Sequence, residues 1–297
     1  MSVEVKNITK LYGTQKAVDA VSFTIQKGEI VGFLGPNGAG KSTIMKIITG
    51  YLDSFEGEVF VSGNSIISNK IKAQQTIGYL PEHNPLYVEM YVKEYLYFHA
   101  GIHKISKAEV DLMIEKVGLT PEVHKKINQL SKGYRQRIGL AAALLHEPEV
   151  LILDEPNTGL DPNQLLEIRN LIKKVGVNKT VLFSTHIMQE VEAICDRVII
   201  INKGKIIADK SLKELKENQD QVIEVEFDFK IEQQFIQKMP HIKLAKNIHD
   251  TLWELTFSTS NDMRAVVFDF AHENGLKILA LNTKNKNLES LFRELTT

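Results

Sequence analysis

Cysteine is almost absent. Cys195 is the only one in 297 residues, which excludes an internal disulfide and a thiolate metal cluster. An excess of either charge is missing too. The 36 basic and 37 acidic side chains leave a formal net charge of -1, so no long-range field gathers nucleic acid or holds the chain on an anionic membrane. No run approaches the roughly 18 to 20 apolar residues that cross a bilayer, and residues 1–13 contain no apolar signal region. These absences predict a cytoplasmic chain that reaches a membrane only through a protein partner. What is present is ordinary globular composition, 43% hydrophobic and 25% charged, with material for a sizeable core.

Short β-branched and aliphatic runs, bounded by turn residues, occur at residues 29–34, 150–153, 180–184 and 197–201. Continuous apolarity suits strands covered on both faces, hence a mostly parallel sheet between helices. Residues 3–11 and 17–25 alternate instead and read as an antiparallel pair at an edge. Apolar spacings of three and four at 90–100 and 107–117 predict helices, the second opened by a capping box of Ser106 and Glu109 and closed by Gly118. The helical insertion is expected over about 84–146, inside a first domain of residues 1–215. From 216 to 297 the pattern changes. Strands are expected at 224–229, 253–257 and 276–281, and helices at 261–274, stopped by Gly275, and at 287–295. That order fits a small α+β domain of ferredoxin-like type.

The sharpest signal is Gly35-Pro36-Asn37-Gly38-Ala39-Gly40-Lys41-Ser42-Thr43 between an apolar strand and a helical pattern. Glycines let successive N–H groups converge on phosphate oxygens, and the helix that follows presents unpaired N–H groups and the positive end of its dipole. Lys41 supplies a point charge for β- and γ-phosphates, and the Ser42 hydroxyl can ligate Mg²⁺. A chance glycine-rich turn of this pattern arises in roughly one chain in a hundred of this length, before the flanking strand and helix are required. The run 150–153 ends in Asp154 and Glu155. Asp154 suits the metal, while alternation along a strand sends Glu155 to the other side, toward an attacking water. His186, after the run 180–184, can donate and accept at neutral pH and so suits a γ-phosphate or that water.

Together these residues resemble the ATP-binding cassette (ABC) ATPases over about residues 3–208. Leu130-Ser131-Lys132-Gly133-Tyr134-Arg135-Gln136-Arg137 looks like the family signature, Gly159-Leu160-Asp161 like the loop after the acidic strand, and His186 like the switch histidine. Tyr12 matches the aromatic that stacks on adenine. The resemblance implies an α/β P-loop NTPase of ABC type, with antiparallel β subdomain and helical insertion, that hydrolyses ATP with Mg²⁺. It also implies an ATP-sandwiched dimer, in which Ser131 and Gly133 of one cassette meet the γ-phosphate held by another. The sequence departs from the pattern at three places. Lys132 replaces a signature glycine, Tyr134 replaces the signature glutamine, and Glu82, in Gly78-Tyr79-Leu80-Pro81-Glu82, stands where the family has glutamine. A carboxylate there binds Mg²⁺ more strongly but adds negative charge near the phosphates. The branch most similar is the ATP-binding subunits of ABC-2 type exporters, and within it those of bacterial gliding motility.

That branch implies an integral membrane permease partner, attachment to the cytoplasmic face of the inner membrane, and a second cassette. The competing class, a soluble cassette acting on nucleic acid or ribosomes, is disfavoured by near-zero net charge and by one P-loop per chain. The stripe Tyr87, Tyr91, Tyr95, Tyr97 and Phe98 reads equally as local core or partner groove. In the C-terminal domain, Asp228, Glu232, Asp250, Glu254, Asp262 and the histidines 241, 249 and 272 are scattered without metal-ligand spacing, which leaves dimer stabilisation or regulation as its expected uses.

Overall fold

A computed structural model describes residues 1–217, 220–259 and 261–284. The chain divides into two compact units, Met1–Lys210 and Ser211–Thr297. In the first, β1 (Val3–Tyr12) and β2 (Gln15–Ile25) precede β3 (Ile30–Leu34), α1 (Lys41–Ile48), β4 (Glu56–Val61), β5 (Asn64–Ser65), α2 (Lys70–Gln75) and β6 (Ile77–Leu80). The helical segment follows as α3 (Val92–His103), α4 (Lys107–Lys116) and α5 (Lys132–Leu144). The unit is completed by β7 (Val150–Asp154), α6 (Pro162–Gly176), β8 (Thr180–Thr185), α7 (Met188–Ile194), β9 (Arg197–Asn202) and β10 (Lys205–Ser211).

Two sheets carry this unit. One is antiparallel with order β2-β1-β4-β5, and the other runs β10-β9-β3-β8-β7-β6. Within the second sheet β3 pairs in parallel with β8 and β9, and β7 with β6 and β8. Every residue of β7 and β8 is buried, so the apolar runs 150–153 and 181–183 reflect cover on both faces. Ile152, Leu182 and Phe183 are fully buried, and each such side chain contributes about 1.5–3 kcal/mol through water exclusion. The parallel arrangement brings the carboxyl ends of β3, β7 and β8 to one edge, where loops have room for a ligand. At the other flank Gly78 lets β6 close on α5, since a Cβ there would lie 2.3 Å from the Ala143 carbonyl oxygen.

The ends of α5 and β7 set several site residues. α5 begins at Lys132, with Ser131 as its N-cap accepting from the Tyr134 N–H, so Gly133 lies inside the first turn. Glu155 stands beyond the end of β7 with φ 47°, so strand alternation does not set its direction. The strand β8 separates β7 from β3, and Asp154 reaches the P-loop across one intervening strand. The capping box at Ser106 and Glu109 is present, and Gly118 adopts φ 71°.

The second unit contains α8 (Leu212–Glu217), β11 (Gln221–Phe227), α9 (Gln233–Ile236), β12 (Ile242–His249), β13 (Leu252–Phe257), α10 (Arg264–Glu273) and β14 (Ile278–Thr283). Its sheet order is β12-β13-β11-β14, with β11–β13, β11–β14 and β12–β13 all antiparallel. From β11 to β14 this is the βαββαβ succession of a ferredoxin-like fold. Phe227, Phe257, Leu255 and Trp253 anchor its separate core. The helix expected at 287–295 lies outside the described residues.

Candidate nucleotide-binding and hydrolysis site

The loop from Gly35 to Gly40 joins β3 to α1 and is shaped by close backbone approaches. A Cβ on Gly35 would lie 2.4 Å from the Ile201 carbonyl oxygen, and one on Gly40 2.5 Å from that of Ala17. Gly40 also adopts φ 107° as the N-cap of α1, a conformation open to glycine. The helix has no side-chain cap and no acid in its first turn. Its leading N–H groups and dipole are therefore left for an anion from outside the helix. The cleft in front of this turn measures about 340 Å³, and Asn37, Gly38, Lys41, Ser42, Thr43, Glu82 and Glu155 share its walls.

Lys41 is 5% exposed. Its Nζ donates to the carbonyls of Gly35 at 2.7 Å and Pro36 at 3.2 Å, and pairs with Glu155 Oε1 at 3.2 Å. Buried charges persist only when paired in this way. Glu155 Oε2 in turn lies 2.9 Å from His186 Nδ1. A carboxylate only accepts, so Nδ1 is the donor in this contact. His186 is 44% exposed by its side chain, against 8% for Glu155. A buried carboxylate thus spans a cation and an accessible imidazole.

Asp154 lies one residue earlier and is 1% exposed. Its Oδ1 accepts from Ser184 Oγ at 2.7 Å and from Ser42 Oγ at 3.1 Å. The Ser184 hydroxyl also accepts from the Glu155 N–H at 2.9 Å, so one buried hydroxyl positions both acids. Burial pushes the Asp154 carboxyl up, the hydrogen bonds from Ser184 and Ser42 oppose this, and the charges of Glu82 and Glu155 add to it. A divalent cation beside it reverses that push. Ser42 and Asp154 offer hard oxygen donors, as Mg²⁺ requires. Among the described residues no group of three or more His, Cys, Asp or Glu forms a metal cage. The protein oxygens therefore fit a metal that takes its remaining ligands from phosphate and water.

The exposed Glu82 lines both this cleft and a neighbouring one of about 480 Å³ that Ser42, Tyr79 and Asp154 share. Tyr12 stands apart from the cleft walls, half exposed, with Lys10 Nζ over its ring at 5.1 Å. Ser131 and Gly133 are likewise absent from the walls of their own chain's cleft. Ser131 is exposed at the start of α5, and Gly133 is buried against Gln164. The aromatic stripe divides. Tyr95 is buried, and burial pushes its hydroxyl up to about 12, whereas Tyr87, Tyr91 and Phe98 are about half exposed. Ser184 escaped the sequence reading, although a serine ending a buried apolar strand was a visible signal. Gln136 escaped it too. Its amide donates to the Pro156 carbonyl at 2.8 Å and ties α5 to the loop after Glu155.

A phosphate-binding turn, a buried acid beside its serine, and a carboxylate bridging lysine and histidine define a Mg²⁺-dependent P-loop ATPase. Comparison with known proteins gives its family. The profile of the ABC transporter family matches residues 18–158. The linearmycin resistance ATP-binding protein LnrL of Bacillus subtilis (strain 168) is 34% identical over 308 residues, covering 99% of this chain and 98% of that protein. The uncharacterized ABC transporter ATP-binding protein YhcH of the same organism is 41% identical over 229 residues, 75% of each chain. The dimeric structure of a bacterial ABC transporter cassette superposes with a TM-score of 0.64 at 27% identity, covering 71% of this chain and 98% of that one. The chain belongs to the family of ABC transporter ATP-binding proteins, and it hydrolyses ATP with Mg²⁺.

Proposed function

We propose that this cassette works as one half of an ATP-closed pair that drives an ABC-2 type membrane exporter. The observation that carries this reading is the division of the site. The phosphate turn, Ser42 and Glu155 line one cleft, with Asp154 hydrogen-bonded to Ser42 and His186 to Glu155, while Ser131 and Gly133 stand at the start of α5 with no such link to it. A helix start with an exposed serine suits an anion presented by a second cassette. Tyr12 takes the adenine by stacking, and Gly35, Asn37, Gly38, Ala39, Gly40, Lys41, Ser42 and Thr43 wrap the phosphates.

In this reading Mg²⁺, held by Ser42 and Asp154 with Glu82 nearby, neutralises charge on the phosphate oxygens. Lys41 stabilises charge developing on the transferred group, and Glu155 accepts a proton from a water that His186 helps to orient. Glu155→Gln keeps the shape of the side chain and removes the base. With Mg-ATP it is expected to accumulate dimer by light scattering and to lose turnover; wild-type turnover, or the wild-type oligomer distribution, refutes the assignment.

No helix among the described residues is long and apolar enough to cross a membrane, so the exporter reading places the chain on the cytoplasmic face through a permease subunit. The half-exposed Tyr87, Tyr91 and Phe98 and the Glu82 loop are the proposed contact, and the ferredoxin-like unit is an accessory domain. Affinity purification from membranes is expected to recover an integral membrane protein with two cassettes. Salt-sensitive recovery of nucleic acid or ribosomes without one replaces the exporter by a soluble cassette. Likeness to gliding-motility subunits supports that particular exporter, and normal surface spreading of a deletion strain removes that part alone.

A further inference from the structure

One buried carboxyl stands behind the Glu155–His186 pair without touching the nucleotide cleft. Glu190, in the first turn of α7, is 2% exposed, and its Oε2 accepts from Thr185 Oγ1 at 2.6 Å. The same Oγ1 accepts from the Ile187 N–H at 3.0 Å. A hydroxyl has one proton, so its donation to Glu190 leaves a lone pair facing Ile187 and polarises the bond it accepts. Thr185 is itself fixed in the sheet, in register with Leu34. His186 is thus the one residue between a sheet-locked threonine and an isoleucine bonded back to that threonine. The rotation of this turn decides whether Nδ1 meets Glu155 Oε2.

The surroundings of Glu190 include the loop after Glu155. Burial pushes the Glu190 carboxyl up and the charge of Glu155 adds to this, while Thr185, Asn157 and the charge of Arg169 oppose it. Yet Glu190 Oε1 and both amide atoms of Asn157, itself 5% exposed, lack a hydrogen bond of full geometry. Buried polar atoms without partners are rare.

We propose that Glu190 is a positioning residue for ATP hydrolysis, which holds the Thr185 hydroxyl so that the turn after β8 presents His186 to Glu155. The proposal rests on the roles given above to Glu155 and His186. An ordinary first-turn acid caps backbone N–H groups, whereas this one takes a side-chain hydroxyl of the preceding strand.

The test is steady-state turnover and Mg-ATP calorimetry on the full chain. Glu190→Ala and Thr185→Val are each expected to lower kcat by about tenfold to a hundredfold, as misplacement of a water-orienting group does. The Kd for Mg-ATP stays within about twofold, because neither side chain touches nucleotide. Thr185→Ser, which keeps the hydroxyl, and Glu190→Gln, which keeps an acceptor, are expected within about threefold of wild-type kcat. The double variant Glu190→Ala with Thr185→Val is no slower than the slower single one, since both break one chain of bonds. Wild-type kcat in Glu190→Ala, equal losses of kcat and ATP affinity, or multiplying losses in the double variant overturn the proposal. Should Glu190→Ala not fold, the Thr185→Val and Thr185→Ser pair decides it by the same criteria. His186→Ala runs alongside: if it turns over at the wild-type rate, the reading of the Glu155–His186 pair fails, whereas its loss with intact Glu190→Ala sinks the positioning role alone.

Discussion

Ser184→Ala tests how the two acids are held. The residue is fully buried and makes two hydrogen bonds, donating to Asp154 at 2.7 Å and accepting from the Glu155 N–H at 2.9 Å. A bond to a carboxylate contributes about 1.5–3 kcal/mol and one to a neutral amide about 0.5–1.5 kcal/mol. Ser42 still reaches Asp154 Oδ1 at 3.1 Å after the change, which places the expected loss at about 2–4 kcal/mol. For a unit of this size that is a fall of roughly 5–15 °C in the cassette transition. Scanning calorimetry of the metal-free full chain reads it directly. Ser42→Ala, which removes one half-buried bond, is expected to cost about 1 kcal/mol or less in the same assay. With Mg-ATP the order inverts. Ligand-induced stabilisation is lost in Ser42→Ala, which lacks a metal ligand, and largely kept in Ser184→Ala. A Ser184→Ala midpoint indistinguishable from wild type, or a larger metal-free loss from Ser42→Ala, refutes this reasoning.

Lys41→Ala removes the cation that Glu155 and the loop carbonyls hold in the cleft, and isothermal calorimetry is expected to show no saturable triphosphate binding; wild-type affinity contradicts the assignment. Gly35→Ala sets a Cβ against the Ile201 carbonyl and side chain, and the overpacked loop is expected to lower stability by about 1–3 kcal/mol in a urea titration; an unchanged midpoint shows that the strand gives way freely. Asp154 has a carboxyl raised by burial above its ordinary 3.8, so the unfolded chain releases this proton first. Wild type therefore loses stability relative to Asp154→Asn as pH climbs from the ordinary value through the raised one, and the gap stays constant above it. Metal-free denaturation of both proteins between about pH 4 and pH 8 checks the sign; wild type gaining stability relative to Asp154→Asn as pH rises is the opposing result.

Much of this was legible because strong local patterns coincide with the fold. The apolar runs became β3, β7, β8 and β9, and the alternating C-terminal pattern became a ferredoxin-like sheet. What escaped depended on long-range geometry. Alternation placed Glu155 on the far side of a strand that in fact ends at Asp154. A helix was missed at α6 although Asp161 and Pro162, its N-cap and first residue, carry the usual start signal. Ser184 and Glu190 gain meaning only when β8 lies against β7 and α7 folds back on β8. The partner of Ser184, Asp154, is set by the sheet rather than by neighbouring sequence, and that of Glu190, Thr185, by the turn that leads β8 into α7.

The left-handed backbone at Glu155 has an evolutionary consequence. A residue with a side chain of this length gives up about 1–2 kcal/mol by adopting φ 47°. Glycine, asparagine or aspartate would sit there more comfortably, but none reaches Lys41 and His186 together. Position 155 is therefore contested between conformational ease and reach. A lineage released from hydrolysis should lose glutamate early and drift toward the shorter residues, becoming more stable as it falls silent. With the proposed role of Glu155, the identity of that one residue in descendants of this cassette is a record of whether the motor still turns.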